Sequence, residues 1–276
     1  MNNLSLSEQE KTLHSSFDEY GKLVVKEQGQ IRSLYFGDEK KQSTIFTPHP
    51  SVLILHYTQV MMSSLLFEPE PKKILLLGLG GGSLVHFLLK AAPFAQIEVV
   101  ELRPDVIELS ETYFELPIDS ERLVVHCDEA CSFMSKKMRD NAGRYDMILV
   151  DIFDNDGPST LNADVDFLTS CKSLLNDSGV ISFNLWNRKI DLYTSLYKKY
   201  KQIFAGKLIE LKLGRLDSNV VLFGFSPNKK SCDVNLYKTK AENLKQQHGI
   251  DFPYFLNLMQ KQNFSFMSRV KKLIWA

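Results

Sequence analysis

The chain has no surplus of charge of either sign: its 276 residues carry 33 Lys plus Arg against 33 Asp plus Glu. With no net field, general attraction to nucleic acid or to an anionic membrane has no basis, and a partner must be recognised locally. Cysteine is scarce as well. Cys127, Cys131, Cys171 and Cys232 form no CxxC pair and have no histidines at zinc spacing, so a metal site lacks support and reduced thiols are expected. No apolar run approaches the roughly 20 residues needed to span a bilayer, and MNNLSLSEQEKTL has no basic stretch leading into an apolar one. These absences point to a cytoplasmic protein that binds neither membrane nor nucleic acid. At 31.6 kDa the chain can bury one large α/β domain, alone or with a small appendage.

What stands out is KKILLLGLGGGS at 72–83, where an apolar run of strand length breaks into Gly78, Gly80, Gly81 and Gly82. Glycines there let the backbone turn tightly and approach a ligand, because a Cβ would collide with ligand or helix. By itself such a loop is also compatible with a plain tight turn.

The residues before it read differently from those after it. Residues 17–47 hold short β-rich segments separated by Gly21, Gly29 and Gly37, which suggests hairpin strands; 52–67 offers an apolar pattern long enough for a helix carrying Tyr57. Residues 1–71 are therefore read as a β-rich N-terminal domain with a connecting helix. From 72 to 226, strand-length and helix-length segments alternate, predicting parallel βαβ units in a doubly wound, Rossmann-like sheet that ends in an antiparallel hairpin over 208–225. Residues 227–276 read as a helical extension.

In an open α/β sheet, ligands bind outside the carboxyl ends of the strands. The expected strands end, in order, in the glycine loop, in Glu101, in Cys127-Asp128 and in Asp151-Ile-Phe-Asp154. A carboxylate about 20 residues after the glycines can accept hydrogen bonds from both ribose hydroxyls, and one at the third strand can read an adenine amino group. Plainer readings exist for each. Glu101 could lie on the surface, Asp128 could cap the helix that follows it, and Asp154 and Asp156 could form a turn before Gly157-Pro158. Asp151 is harder to dismiss, since an unpaired carboxylate ending an apolar strand is costly without polar company. Acidic strand ends and a GxGGG loop indicate an adenosyl nucleoside. Ser83 stands where a dinucleotide site wants its third glycine, which favours a sulfonium nucleoside over NAD.

Taken together, these residues resemble the spermidine synthase family of polyamine aminopropyltransferases. The resemblance runs over roughly 17–226: the N-terminal hairpins, the Gln42 segment, the helix with Tyr57, the glycine loop, Glu101, Cys127-Asp128, the Asp151 and Asp154 pair before Gly157-Pro158, and the last strand pair. It implies a class I methyltransferase-like Rossmann domain behind a small β domain, usually as a homodimer. It also implies transfer of an aminopropyl group from decarboxylated S-adenosylmethionine to a small amine. On that resemblance Glu101 holds the ribose, Asp128 the adenine, Asp151 takes the proton of the attacking amine or orients it, Asp154 anchors the amine, Tyr57 walls the cleft and Gln42 lies near the cosubstrate. Asn184 and Trp186 are candidates for the acceptor side.

Three positions depart from the family pattern. Its glycine loop carries an aspartate where this chain has Gly81; its Tyr-His-Glu or Tyr-Gln-Glu reads Tyr57-Thr58-Gln59; and Arg215 stands near a polyamine-contacting tyrosine. All three make the pocket less anionic. Methyl transfer from intact S-adenosylmethionine to a non-polyamine acceptor is the alternative activity, and a non-catalytic nucleoside-binding relative is a third.

Overall fold

The computed structural model of the chain describes residues 9–140, 144–154, 157–188, 190–213, 218–229 and 233–264. Arg215, Asp156 and Cys232 lie outside them. The chain opens with a meander of four antiparallel strands, β1 (Lys11–Asp18), β2 (Gly21–Gln28), β3 (Ile31–Phe36) and β4 (Lys40–Phe46). The sequence reading places the first strand late, because KTLHSSF shows little apolar character and only its pairing with β2 makes it a strand.

Two short helices follow, α1 (His56–Met61) and α2 (Ser64–Phe67), in place of one continuous helix over 52–67. Burial explains the apolar pattern without continuity: residues 60–67, Ser63 and Ser64 included, are all buried, so this part of the segment needs no single helical stripe.

The larger sheet has seven strands in the order β12-β13-β11-β8-β5-β6-β7. These are β5 (Lys73–Leu77), β6 (Gln96–Glu101), β7 (Leu123–Cys127), β8 (Tyr145–Val150), β11 (Leu175–Trp186), β12 (Leu208–Lys212) and β13 (Asn219–Phe225); a two-residue ladder, β9 (Phe153–Asp154) with β10 (Gly157–Pro158), follows β8. Strands β7, β6, β5, β8 and β11 run parallel; β13 runs against both its neighbours. The connecting helices are α3 (Ser83–Ala91), α4 (Pro104–Phe114), α5 (Ala130–Arg139), α6 (Val165–Ser173) and α7 (Ile190–Ile203). This is the expected doubly wound α/β fold with a small β-hairpin sheet in front.

Side chains of the central strands alternate between two cores, as a pleated strand buried on both faces requires. Ile74, Leu76, Met147 and Leu149 enter one cluster with α1, α2 and α3, while Leu75, Leu77, Ile148 and Val150 enter the other with α5, α6 and α7. The first cluster is completed by α8 (Lys238–His248) and α9 (Phe252–Asn263). Helix α9 also closes the β12 edge. Asn263 Nδ2 donates to the Glu210 carbonyl at 2.7 Å and its Oδ1 accepts the Glu210 N–H at 3.0 Å, and Gln262 treats Lys212 likewise. Two amides thereby satisfy an edge that would otherwise invite another strand.

The N-terminal sheet docks through Leu23, Val25, Leu34, Phe36 and Ile45 onto Val106, Leu109 and Phe114 of α4. An ion pair fixes the contact: Arg103, just before α4, grips Asp18 with Nε and a terminal nitrogen, both at 2.8 Å. At 4 % exposure Arg103 is an expensive cation to bury, and Asp18 with the Gly21 carbonyl satisfies it.

Candidate active site

Strands β5 and β8 are neighbours whose chains leave in opposite directions, and the crevice at such a switch point is where this fold binds ligands. A cavity of about 340 Å³ lies there. Its walls come from the glycine loop (Gly78, Leu79, Gly80, Ser83), the end of β6 (Glu101, Leu102, Arg103), Asp128 and Glu129 after β7, Asp151, Ile152 and Phe153 after β8, Tyr57 on α1, and Tyr20, Phe36, Gln42 and Ser43 of the N-terminal sheet.

The loop's glycines do different things. Gly78, at φ +92°, donates to the Val100 carbonyl, and a Cβ on it would lie 2.3 Å from the Asp151 carbonyl oxygen. No other residue fits between β5 and β8 there. Gly80, at φ +55°, would place a Cβ 3.2 Å from Ser43, so the loop is pressed against β4. Gly81 and Gly82 do not line the cavity. A Cβ at Gly81 would strike the Phe114 ring at 2.7 Å, and one at Gly82 would strike Leu116 at 2.8 Å; both glycines serve the packing of the loop against the segment that ends α4.

Glu101 is 8 % exposed and its two oxygens are each held by a backbone N–H, Oε2 by Leu79 at 2.9 Å and Oε1 by Arg103 at 3.0 Å. Burial raises its pKa, against those hydrogen bonds and the Arg103 charge. Each oxygen keeps a lone pair for a ligand hydroxyl. The surface reading of Glu101 is excluded by this burial.

Asp128 lines the cavity with Oδ2 bound to Lys136 at 2.7 Å and Oδ1 to the Glu129 N–H at 2.9 Å, which hold its carboxyl below the usual range. The capping role falls to Glu129 instead, whose carboxylate accepts from Cys131 and Ser132 at the start of α5. Cys127 is exposed and outside the cavity wall.

Asp151 receives two side-chain hydrogen bonds, Asn184 Nδ2 to Oδ1 at 2.8 Å and the Tyr57 hydroxyl to Oδ2 at 3.2 Å. Burial in the cleft pushes its carboxyl up to about 6, with Asn184 and Tyr57 pulling back. Tyr57, raised well above the usual phenol by burial and then by Asp151, stays a neutral donor, and also reaches the Gln42 carbonyl at 3.3 Å. Asp154 supplies backbone to β9, and its carboxylate lies outside what is described. Gln59 donates to the Leu53 carbonyl at 2.8 Å and is absent from the cavity wall. Trp186 packs against Phe153 with the rings tilted and their centres 5.4 Å apart, and Gly157 is a glycine because a Cβ would meet that indole at 2.9 Å.

The reading of the sequence missed Tyr20, Phe36 and Arg103. Arg103 lies 4.4 Å from the Phe36 ring centre and 5.7 Å from Tyr20, so the three form one wall. Its place two residues after Glu101 is the signal that was available. Among the described residues no group of three His, Cys, Asp or Glu is placed to hold a metal, and no helix is long and apolar enough to cross a membrane.

A sequence profile of the spermine/spermidine synthase domain matches residues 55–208, which holds Tyr57, the glycine loop and every acidic strand end. The chain belongs to the spermine/spermidine synthase family. A family relative, a polyamine aminopropyltransferase of Neisseria meningitidis, is 30% identical over 250 residues, covering 90% of this chain and 92% of the relative. A spermidine synthase crystallised with the transition-state analogue AdoDATO shares the fold, with TM-score 0.69 and 16% identity over 95% of this chain and 86% of that one. Human methyltransferase-like protein 13, crystallised with SAH, is similar at TM-score 0.61 and 26% identity over 71% of this chain and 93% of that one.

Proposed function

We propose that the protein is an aminopropyltransferase that moves the aminopropyl group of decarboxylated S-adenosylmethionine to the nitrogen of a small amine. The carbon–sulfur bond breaks as the new carbon–nitrogen bond forms; the sulfonium leaves as the neutral thioether methylthioadenosine, and the proton of the attacking nitrogen passes to Asp151. The observation that carries this reading is the Asp151 carboxylate. It stands in the cavity wall across the glycine loop from Glu101, steered by Tyr57 and Asn184, with a proton affinity raised to about 6. An alkylammonium is no nucleophile, and a base of that strength, near the working pH, suits its deprotonation. Among the described residues the cavity wall carries Glu101, Asp128, Glu129 and Asp151, with Asp128 paired to Lys136, against the Arg103 guanidinium that is already paired with Asp18, which favours a cationic sulfonium and a cationic amine. Glu101 takes the ribose hydroxyls and Asp128 the adenine in this reading, with Gln42 nearby; Asp154 anchors the amine. A homodimer in the cytoplasm belongs to the same reading, through the family resemblance, and light scattering on the eluted protein tests the dimer.

Purified protein given decarboxylated S-adenosylmethionine and putrescine should release methylthioadenosine. No release across a panel of diamines and polyamines would sink the proposal.

Methyl transfer from intact S-adenosylmethionine is the second reading, favoured by Gly81. With the Phe114 ring where a side chain would begin, this chain has no carboxylate at that position to receive an aminopropyl ammonium or to repel a methionine carboxylate. S-adenosylhomocysteine binding tenfold more tightly than methylthioadenosine would move the assignment there.

A further inference from the structure

A carboxamide has a donor end and an acceptor end, and its orientation decides whether it supports a carboxylate or a carboxylic acid. At Asn184, which is 1 % exposed, the oxygen accepts from a second amide: Asn219 Nδ2 donates to Asn184 Oδ1 at 2.8 Å. Asn184 Nδ2 in turn faces Asp151 Oδ1 at 2.8 Å, and because an ionised carboxylate only accepts, the donor direction runs from Asn219 through Asn184 to Asp151. The sheet brings the two amides together. Strands β11 and β13 pair Asn184 with Val221 and Trp186 with Asn219, so the asparagines are diagonal neighbours on one face, within reach of each other.

We propose that Asn184 and Asn219 are positioning residues that keep Asp151 anionic and aim its remaining lone pairs at the attacking nitrogen. The inference rests on Asp151 acting as the proton acceptor of the reaction proposed above. Tyr57 from α1 is the titratable group in direct contact with Asp151; Glu101 and Arg103 from the end of β6, and Asp128 and Glu129 before α5, face the same cavity. Three of these are carboxylates, and together with burial they leave the charge on Asp151 dependent on its neutral donors. Tyr57 supplies one hydroxyl proton, which it shares with the Gln42 carbonyl; Asn184 supplies the shorter bond.

The test is the titration of Asp151 itself, read by carboxyl carbon-13 NMR of aspartate-labelled protein bound to methylthioadenosine and assigned with Asp151→Asn. In Asn184→Leu the midpoint should rise by about 1 to 2 pH units, the size of one lost charge-assisted hydrogen bond. Asn219→Leu should move it the same way by less, and carries the test if the first variant does not fold. Turnover in Asn184→Leu should fall roughly two- to tenfold at pH 7 and recover by about pH 9, with methylthioadenosine affinity within about threefold of the parent. A midpoint that is unmoved or lowered, or a loss of turnover that alkali does not restore, overturns the proposal. Because the carbon-13 midpoint needs no turnover, a parent protein inactive on every amine would defeat the aminopropyl reading and still leave the amide relay measurable.

Discussion

Glu101 and Asp151 flank the glycine loop from either side and face one cavity, yet they are held in opposite ways. Backbone N–H groups fix Glu101; side chains of Tyr57 and Asn184 fix Asp151. A backbone donor cannot be exchanged by substitution, so the Glu101 end is a rigid binding surface whose geometry comes with the fold. The Asp151 end is set by residue choice at three separate elements, and its proton affinity is adjustable. On the proposed reading, nucleoside binding and the tuning of the acceptor reaction are thereby separated between the ends of β6 and β8, on either side of β5.

The sharpest way to break this contrast is Asp151→Asn. Turnover should fall by about 10²- to 10⁴-fold, the range for losing a positioned base, while calorimetry finds methylthioadenosine affinity within about threefold. Stability should move in the other direction. The folded Asp151 pKa lies above its ordinary 3.8, at about 6, so the folded state holds this proton more tightly than the unfolded chain does. Its stabilising contribution is complete below about pH 4 and is lost as pH rises through about 6. A neutral amide escapes that loss, and the variant should gain about 2 to 3 kcal/mol over the parent at pH 8 and little at pH 4 in urea melts. Equal stability of the two proteins at pH 8 would mean that Asp151 is not under electrostatic tension.

The Glu101 side depends on structure built elsewhere. Asp18→Asn leaves the Arg103 guanidinium buried without its anion, and should cost about 3 kcal/mol in urea unfolding. Because Arg103 N–H also holds Glu101, the same variant should weaken the nucleoside; unchanged affinity would show that the N-terminal sheet only covers the site. Glu101→Gln is gentler on the fold and acts directly. Its NH₂ must face one of two backbone donors, and methylthioadenosine affinity should drop about 10- to 100-fold, with kcat little altered at saturation. A kcat loss as large as that of Asp151→Asn would erase the distinction between the two ends.

Sequence reasoning reached the site where chemistry is local and lost it where contacts span the chain. An apolar strand ending in Gly78 is legible because the packing of β5 against β8 forbids any side chain there. Acidic strand ends are legible because parallel strands line up their carboxyl ends. The Arg103–Asp18 pair is not, since its partners are 85 positions apart and neither lies in a motif. Gly81 shows a subtler limit. The sequence shows a missing carboxylate; the structure adds that Phe114 occupies the space into which a side chain would project, so restoring aspartate requires α4 to yield as well. The break between α1 and α2 is equally invisible, because a segment buried all round has no stripe to interrupt.

Asp128 belongs to neither class, and the smallest expected effect comes from it. One of its oxygens is held by backbone, as at Glu101, and the other by Lys136, whose side chain is 54 % exposed. An ion pair so open to water is screened and contributes little. Lys136→Ala removes the main influence holding the Asp128 carboxyl below its usual range, yet an ordinary carboxylate is still ionised at pH 7. Adenine recognition should then be carried by the oxygen that the Glu129 N–H fixes, and methylthioadenosine affinity should change less than about threefold, with less dependence on salt than in the parent. A tenfold loss in calorimetry would place Asp128 with Asp151, as a carboxylate whose aim is set by a side chain, and would confine the backbone-held half of the cleft to the glycine loop and Glu101.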